Sequence, residues 1–423
     1  MSIADRFRQF VRSKNAAIFS RSIVIQLIGY GVSLALTPLA IIFYTPADFG
    51  LFAVAFFCAN LVGTYGGLKL EWAVINEHSE KVADLLLRFS LTLILAWGVV
   101  AAVAAVVVPQ DLYTAVKLNR YVALLAVPVA VIIGFGLFLQ SWGIRARNYP
   151  QVYLSRNAAM VSRQVLQIGL GLIWPSAFSL LIAEFVSRLI GVQIILNKLD
   201  LRLRLLAPGR FFSLLGPLPF RRYGHYTKIA LPSSLVDFLM TEGLAVVIVP
   251  LYGLDVAGAY WLVQRIFGIP IALIGTVAAD VFQGQIARRR DHEAIFNQMA
   301  QLSILLTGFS VIVMPAAAVA FWLFTQHVYG GKWLLSGQLA LYFIPVICTQ
   351  FVASPISRVL IVREKMKFKY VFDGTMFLGL TSWLLLTQIG SLSLFQSIIC
   401  LAGAQTLAYC VYILLCFHVV RRP

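Results

Sequence analysis

The chain reads as long apolar runs broken by short polar punctuation. A helix needs about 20 apolar residues to cross the hydrocarbon of a bilayer. Twelve stretches reach that length, at residues 18–42, 49–70, 85–108, 121–142, 153–173, 177–197, 228–250, 257–283, 297–325, 334–361, 369–388 and 392–418. On one side the turns between them read "YTPADFG", "VPQDLY", "WPSAF", "YGLDVAG", "YGGKW" and "IGSLS". On the other side the connections are basic. The pattern predicts an all-α polytopic membrane protein of twelve transmembrane helices.

Charge sets the orientation. With the N-terminus inside, the inner segments collect 26 of the 34 Lys and Arg residues, and the outer loops hold only Lys117, Arg120 and Lys332. Basic residues accumulate in cytoplasmic loops, and a missed span would scramble this alternation. Both termini are therefore expected in the cytoplasm. The start "MSIADRFRQFVRSKNAAIFSRS" is basic and runs into a long apolar stretch, which reads as an uncleaved first helix.

Composition agrees. The 423 residues are 60% hydrophobic and 12% charged, with a mean hydropathy of +0.86, whereas soluble domains carry roughly 25% charged residues. The net charge of +17 is explained by the inner loops, so no nucleic-acid partner is implied. Cys58, Cys348, Cys400, Cys410 and Cys416 fall in or beside apolar runs without metal-ligand or disulfide spacing. Neither a P-loop, a nucleophile elbow nor a nucleotide fingerprint is present, so neither enzyme chemistry nor ATP-driven transport is expected of this chain alone.

The longest inner loop, "KLDLRLRLLAPGRFFSLLGPLPFRRYGHY", is basic and apolar with Pro208, Pro217 and Pro219. It divides the chain into an N-terminal lobe at 1–197, a linker at 198–227 that suits the membrane surface, and a C-terminal lobe at 228–423. The lobes show a weak parallel repeat: "IIFYTPADFGLFAVAFF" aligns with "IVPLYGLDVAGAYWLVQRIF". Parallel repeats suit a transporter whose halves rock about a central site.

Five bases fall inside the spans: Lys69, Arg163, Arg188, Arg265 and Arg358. A charge at mid-helix costs roughly 2.5–3.5 kcal/mol on insertion scales, so such groups face a cavity or a partner. Counting residues from each hairpin turn compares depths. Arg265 and Glu242 then share a level near the bilayer middle, with Asp237 about a turn deeper. Arg163, Glu184 and Arg188 share a level around the "WPS" turn, and Glu184 and Arg188 are a favourable i,i+4 pair. Two readings stand for each cluster: a fixed ion pair fastening helices, or the wall of a wet cavity that binds an anion and titrates. Lys69 and Glu71, near the inner end of the second helix, either snorkel to the interface or line an inner mouth. Arg358 and Asp373 read as structural, and Arg288–Arg290 as a topology signal.

The stretch "TPLAIIFYTPADFGLFAVAFFCANLVGTYGGLKLEWAVIN" resembles the first two helices of the bacterial polysaccharide-transport family, the O-antigen and exopolysaccharide flippases of the multidrug/oligosaccharidyl-lipid/polysaccharide (MOP) exporter superfamily. That family carries a Tyr-x-Pro-x-Asp-(Phe/Tyr)-Gly-like turn and an Arg-x-Glu-like stretch, here Lys69-Leu70-Glu71. "YTKIALPSSLVDFL" and "DVAGAYWLVQRIFGIPIALIGTVAADVFQGQIA" resemble the start of its second half. The motifs are specific over 38–76 and 226–287. Where the family has an Arg before the first turn, this chain has Ile42 or Phe43.

The resemblance implies two six-helix lobes around a central cationic cavity. It implies flipping of an undecaprenyl-pyrophosphate-linked oligosaccharide across the bacterial inner membrane, with membrane lipids, a polysaccharide polymerase and chain-length proteins as partners. By position, Arg265, Arg163, Arg188 and Lys69 match the substrate-binding cations. Glu242, Asp237 and Glu184 are the acids expected to couple a proton or Na⁺, or to pair; no bound cofactor is implied. Two rivals make different demands. A cation-coupled drug antiporter calls for an acidic cavity, and a membrane glycan polymerase or ligase calls for a large outer loop.

Overall fold

The computed structural model describes residues 14–198, 223–224, 226–286, 292–327, 330–363, 365, 367–390 and 392–421. Most of the 198–227 linker, the N-terminal basic segment before Lys14 and Arg288–Arg290 lie outside the described residues, as does the Asp280 side chain. Among the described residues the regular structure is helical throughout. The helices are α1 (Lys14–Ile41), α2 (Pro46–Tyr65), α3 (Glu71–Asn76), α4 (Glu80–Val107), α5 (Gln110–Ala115), α6 (Arg120–Arg145), α7 (Tyr149–Ile173) and α8 (Ala177–Lys198). A π-helical turn at Tyr226–Ala230 leads into α9 (Leu231–Thr241), α10 (Leu244–Tyr252), α11 (Leu254–Ile286), α12 (His292–His327), α13 (Leu334–Tyr342) and α14 (Ile344–Ile356). The chain ends with α15 (Arg358–Val362), α16 (Lys367–Ile389) and α17 (Leu394–Arg421).

Among the described residues nine segments are long and apolar enough to cross a membrane, and the pair Leu334–Tyr342 and Ile344–Leu360, bent by 58°, supplies a tenth. The α7 and α16 helices have the length, at 25 and 23 residues, but are more polar. With them the described residues hold twelve spanning segments. The extra polarity of α7 is internal: Gln164 is fully buried and donates to Ser33 at 2.9 Å and Thr37 at 3.0 Å on α1. Asn157 donates to the Ile25 carbonyl. A buried polar group is tolerated only when bonded, so these contacts fix the register of α1 against α7.

By chain contact the protein divides into two compact units, Met1–Leu235 and Val236–Pro423. In the first, α7 packs on α8 and α1, and α6 packs on α2, α4 and α8. The "YTPADFG" turn explains the start of α2. Thr45 accepts from the Asp48 N–H while Asp48 accepts from the Thr45 N–H, and Pro46 opens the helix. Tyr44 before it is fully buried and donates to the Gln167 carbonyl at 2.7 Å. In the second unit, α14 packs on α11, α12 and α17, and α16 lies on α17. Trp383 donates to Ser397 at 2.8 Å across that last contact.

Candidate functional site

The second helix does not run on to residue 70. It stops at Tyr65, and a turn over Gly66–Leu70 precedes α3. Leu68 and Lys69 both adopt left-handed backbone, at φ 55° and 59°. Such residues cost of order 1–3 kcal/mol each and persist only where surroundings enforce them. Here Gly67 lets the turn approach Phe138, since a Cβ at Gly67 would lie 2.2 Å from that ring. The turn buries Lys69 instead of letting it snorkel. Its ammonium sits 3.5 Å from Glu71 and 4.6 Å from the Tyr65 ring centroid. Glu71 is buried, and its Oε2 has no hydrogen-bond partner among the described residues. Burial pushes its carboxyl above the ordinary range, and Lys69 pulls it partly back.

Around the "WPS" turn, α7 and α8 form an antiparallel hairpin. This places Arg163, Glu184 and Arg188 side by side. Arg163 Nη1 lies 3.4 Å from Glu184 Oε2, and Arg188 Nε donates to Glu184 Oε1 at 2.5 Å. The Glu184 side chain is 1% exposed, while those of Arg163 and Arg188 are 24% and 30% exposed. One carboxylate therefore serves two guanidiniums, and the trio keeps a net positive charge. Arg188 is fixed further by the Phe56 ring, 5.7 Å from its Cζ. Glu184 engages only Nε, so among the described residues no acceptor meets the two terminal amino groups of Arg188. Those groups form the fork that suits phosphate or carboxylate oxygens.

Arg188 also borders a cavity of about 180 Å³ enclosed by α2, α6, α7 and α8, whose polar lining includes Asn60, Thr64, Gln140 and Ser155. At its edge Arg156 Nε donates to Gln140 Oε1 at 2.7 Å. Arg156 stands seven residues before Arg163 on α7, about 10 Å along the same face. Sequence reading counted it with the inner-loop bases, since it lies near the helix end. Asn60, Thr64 and Gln140 carried no signal, because isolated amides in apolar helices resemble ordinary packing groups.

In the second unit the expected Arg265–Glu242 pair is not formed. Glu242 has no ion pair among the described residues. It sits at the break between Thr241 and Leu244, where its N–H donates to the Phe238 carbonyl at 2.8 Å. Depth counting fixes height and assumes one continuous helix, and the break resets the phase. Arg265 instead lays its guanidinium over Trp261, 5.2 Å from the centroid. Asp237 finds a partner that sequence reading missed: Lys369 lies 2.7 Å from Asp237 and 3.2 Å from Asp373. Asp373, read from the sequence as structural, thus shares one ammonium with Asp237.

Comparison with known structures establishes the fold. An outward-facing multidrug resistance MATE family transporter of the MOP superfamily aligns over 98% of this chain and 98% of its own, with a TM-score of 0.57 at 14% identity. An inward-facing transporter of the same description gives 0.54 at 15% identity, over 97% and 98%. A MOP superfamily transporter from Pyrococcus furiosus, described as having a binding pocket of reverse polarity, gives 0.51 at 15% identity over 98% of both chains. No curated protein matches in sequence. The profile of one family, polysaccharide biosynthesis proteins, matches residues 41–337, and with well over half its length so matched the chain belongs to that family.

Proposed function

We propose that the protein is a flippase that moves a lipid-pyrophosphate-linked oligosaccharide across the bacterial inner membrane, for O-antigen, capsule or exopolysaccharide assembly. One observation carries the reading. In a chain of the polysaccharide biosynthesis family, Arg188 is held by Glu184 through Nε alone and borders a polar cavity with its terminal donors uncommitted. Neither a pyrophosphate nor a glycan crosses hydrocarbon unaided. Arg stays charged and pairs with phosphate oxygens bidentately, so Arg188, backed by Arg163, receives the pyrophosphate. Arg265 and Lys69 serve as further cations of the path.

The cycle is alternating access. The two lobes, 1–197 and 228–423, open inward and admit the headgroup, while the lipid tail stays in the bilayer. They then rock outward and release the head. Both termini are cytoplasmic. Asp237, Glu242 and Glu184 are the acids available to carry a proton or Na⁺ inward, and consumption of the glycan outside also draws the cycle forward. A drug antiporter wants acid facing the cavity, whereas the groups at this cavity are Arg188 and neutral amides and hydroxyls.

The test replaces Arg188 by Gln and by Lys at matched expression and follows lipid-linked glycan on the inner leaflet. Accumulation in Arg188→Gln, with partial relief in Arg188→Lys, is expected. Normal surface polysaccharide in both variants overturns the assignment.

A further inference from the structure

We infer that the apolar groove at the outer end of α4 and α6 holds one acyl chain of an anionic phospholipid, with the lipid phosphate on Arg120 and Lys117. Outer here follows the proposed topology. The groove shares no lining residue with the cavity beside Arg188.

Shape comes first. The groove has a volume of about 510 Å³ and is walled by α2, α4, α5 and α6. Its lining is mostly alanine and valine, including Ala101, Ala104 and Ala105 of α4 and Ala126 and Ala130 of α6. On α4 the lining runs from Trp97 to the helix end, about 15 Å at 1.5 Å per residue. That is half of a hydrocarbon core roughly 30 Å thick. One acyl chain of the outer leaflet has this reach, whereas an undecaprenyl tail is far longer. The Tyr113 hydroxyl on the wall is spent on the Ala105 carbonyl at 2.7 Å, and no side-chain amide stands there to hold a sugar.

Charge comes next. The outer loops hold only Lys117, Arg120 and Lys332, and two of these exceptions to the positive-inside pattern stand at this mouth. The Arg120 guanidinium lies 5.9 Å from the Tyr113 ring centroid, and its Nη2 reaches the Val108 carbonyl at 3.4 Å. Both of those residues line the groove. Capping the end of α4 in this way occupies one amino group. The Arg120 Nε is buried and has no hydrogen-bond partner among the described residues. Lys117 stands between Val116 and Leu118 of the lining and is exposed. It follows α5 in left-handed backbone, at φ 49°, where glycine or asparagine is the usual residue. A lysine there costs backbone strain and brings a charge to the rim. Asp111 on α5 is exposed, so two bases face one acid and the rim stays positive above an apolar trough. An anionic phospholipid complements both parts. A zwitterionic head would bring its own cation against Lys117.

The experiment reconstitutes the full-length protein in phosphatidylcholine vesicles and adds phosphatidylglycerol with brominated chains, or brominated phosphatidylcholine as the control. Bromine quenches Trp97, which lines the groove; its signal is the difference between wild type and Trp97→Phe. Half-quenching is expected at a mole fraction on the order of twentyfold lower for phosphatidylglycerol, about fivefold for each base at the membrane surface. Lys117→Gln, an exposed change, should lower that preference about fivefold, and combined with Arg120→Gln should remove it. Ala104→Phe fills the trough and should weaken quenching by both lipids. Thermal unfolding of each variant verifies that it folds. Equal quenching by the two lipids in the wild type overturns the site, as does a preference that survives in the Lys117→Gln, Arg120→Gln variant. Displacement of the brominated phosphatidylglycerol by equimolar undecaprenyl pyrophosphate, but not by unlabelled phosphatidylglycerol, gives the groove to the carrier and overturns it too. Transport enters none of these readings, so failure here leaves the flippase assignment to the Arg188 variants.

Discussion

Glu184→Gln removes the carboxylate on which two guanidiniums depend while keeping the side chain's shape. The acid is 1% exposed and touches Arg188 at 2.5 Å and Arg163 at 3.4 Å. Removing one partner of a fully buried pair costs about 3–5 kcal/mol, because the other charge is left uncompensated. Here the stranded arginines are 24% and 30% exposed, so solvent recovers part of that cost, and about 1–3 kcal/mol is the expected loss. Guanidinium titration of the purified protein in detergent, read by tryptophan fluorescence, measures it. A double-mutant cycle with Arg188→Gln isolates the pair. The double variant should regain part of the loss, with a coupling of about 0.5–3 kcal/mol. It should nonetheless stay inactive in transport, since the fork is gone. An unfolding midpoint for Glu184→Gln equal to wild type, or zero coupling in the cycle, refutes the reasoning that Glu184 positions Arg188.

Three further perturbations test other parts of the structure. Lys69→Met strands the buried Glu71 and should cost about 3 kcal/mol at neutral pH. Because burial makes folded Glu71 hold its proton to a higher pH than the unfolded chain does, the stability this group contributes is present in acid and lost as pH rises through its raised value. The Lys69→Met deficit, measured by the same titration, should therefore shrink on acidification, and a pH-independent deficit counts against it. Gly136 lines the cavity, and an added Cβ there would meet only Val192, at 3.6 Å. Gly136→Ala should then be neutral, whereas Gly136→Leu should fold but lose transport of a labelled lipid-linked glycan in proteoliposomes. Lys369→Met leaves Asp237 and Asp373 facing each other without a cation; because the Asp237 side chain is 45% exposed, a loss of about 1–2 kcal/mol in unfolding free energy is expected.

Apolar run length made the twelve spanning segments legible, because the bilayer imposes one length on every crossing helix. The Arg163–Glu184–Arg188 group was legible for a related reason. Its members sit on two unbroken helices joined by a tight turn, so equal counts from the turn give equal depth. The same count misled at Glu242, where the helix breaks at 242–243, and run length misled at Lys69, where the helix expected to reach residue 70 stops at Tyr65 before a turn with two left-handed residues. Local breaks depend on what packs against them, as Phe138 does on Gly67, and that neighbour is 71 residues away in sequence. The Asp237–Lys369–Asp373 group joins α9 to α16, a long-range pairing that no residue spacing encodes. Asn60 and Gln140 gained meaning only once the cavity they line was visible.

The uneven charge of the Arg163–Glu184–Arg188 trio has an electrical consequence. Two guanidiniums and one carboxylate leave a surplus positive charge at a depth where the membrane field acts, and each elementary charge carried through 100 mV exchanges about 2.3 kcal/mol with that field. Under the proposed function, a pyrophosphate cargo bearing two negative charges reverses the sign of the group when it binds. Voltage then acts in opposite directions on the loaded and the empty protein, so a potential that hinders one stroke assists the other. The transient charge displaced by a voltage step across reconstituted protein should accordingly change sign between saturating cargo and none.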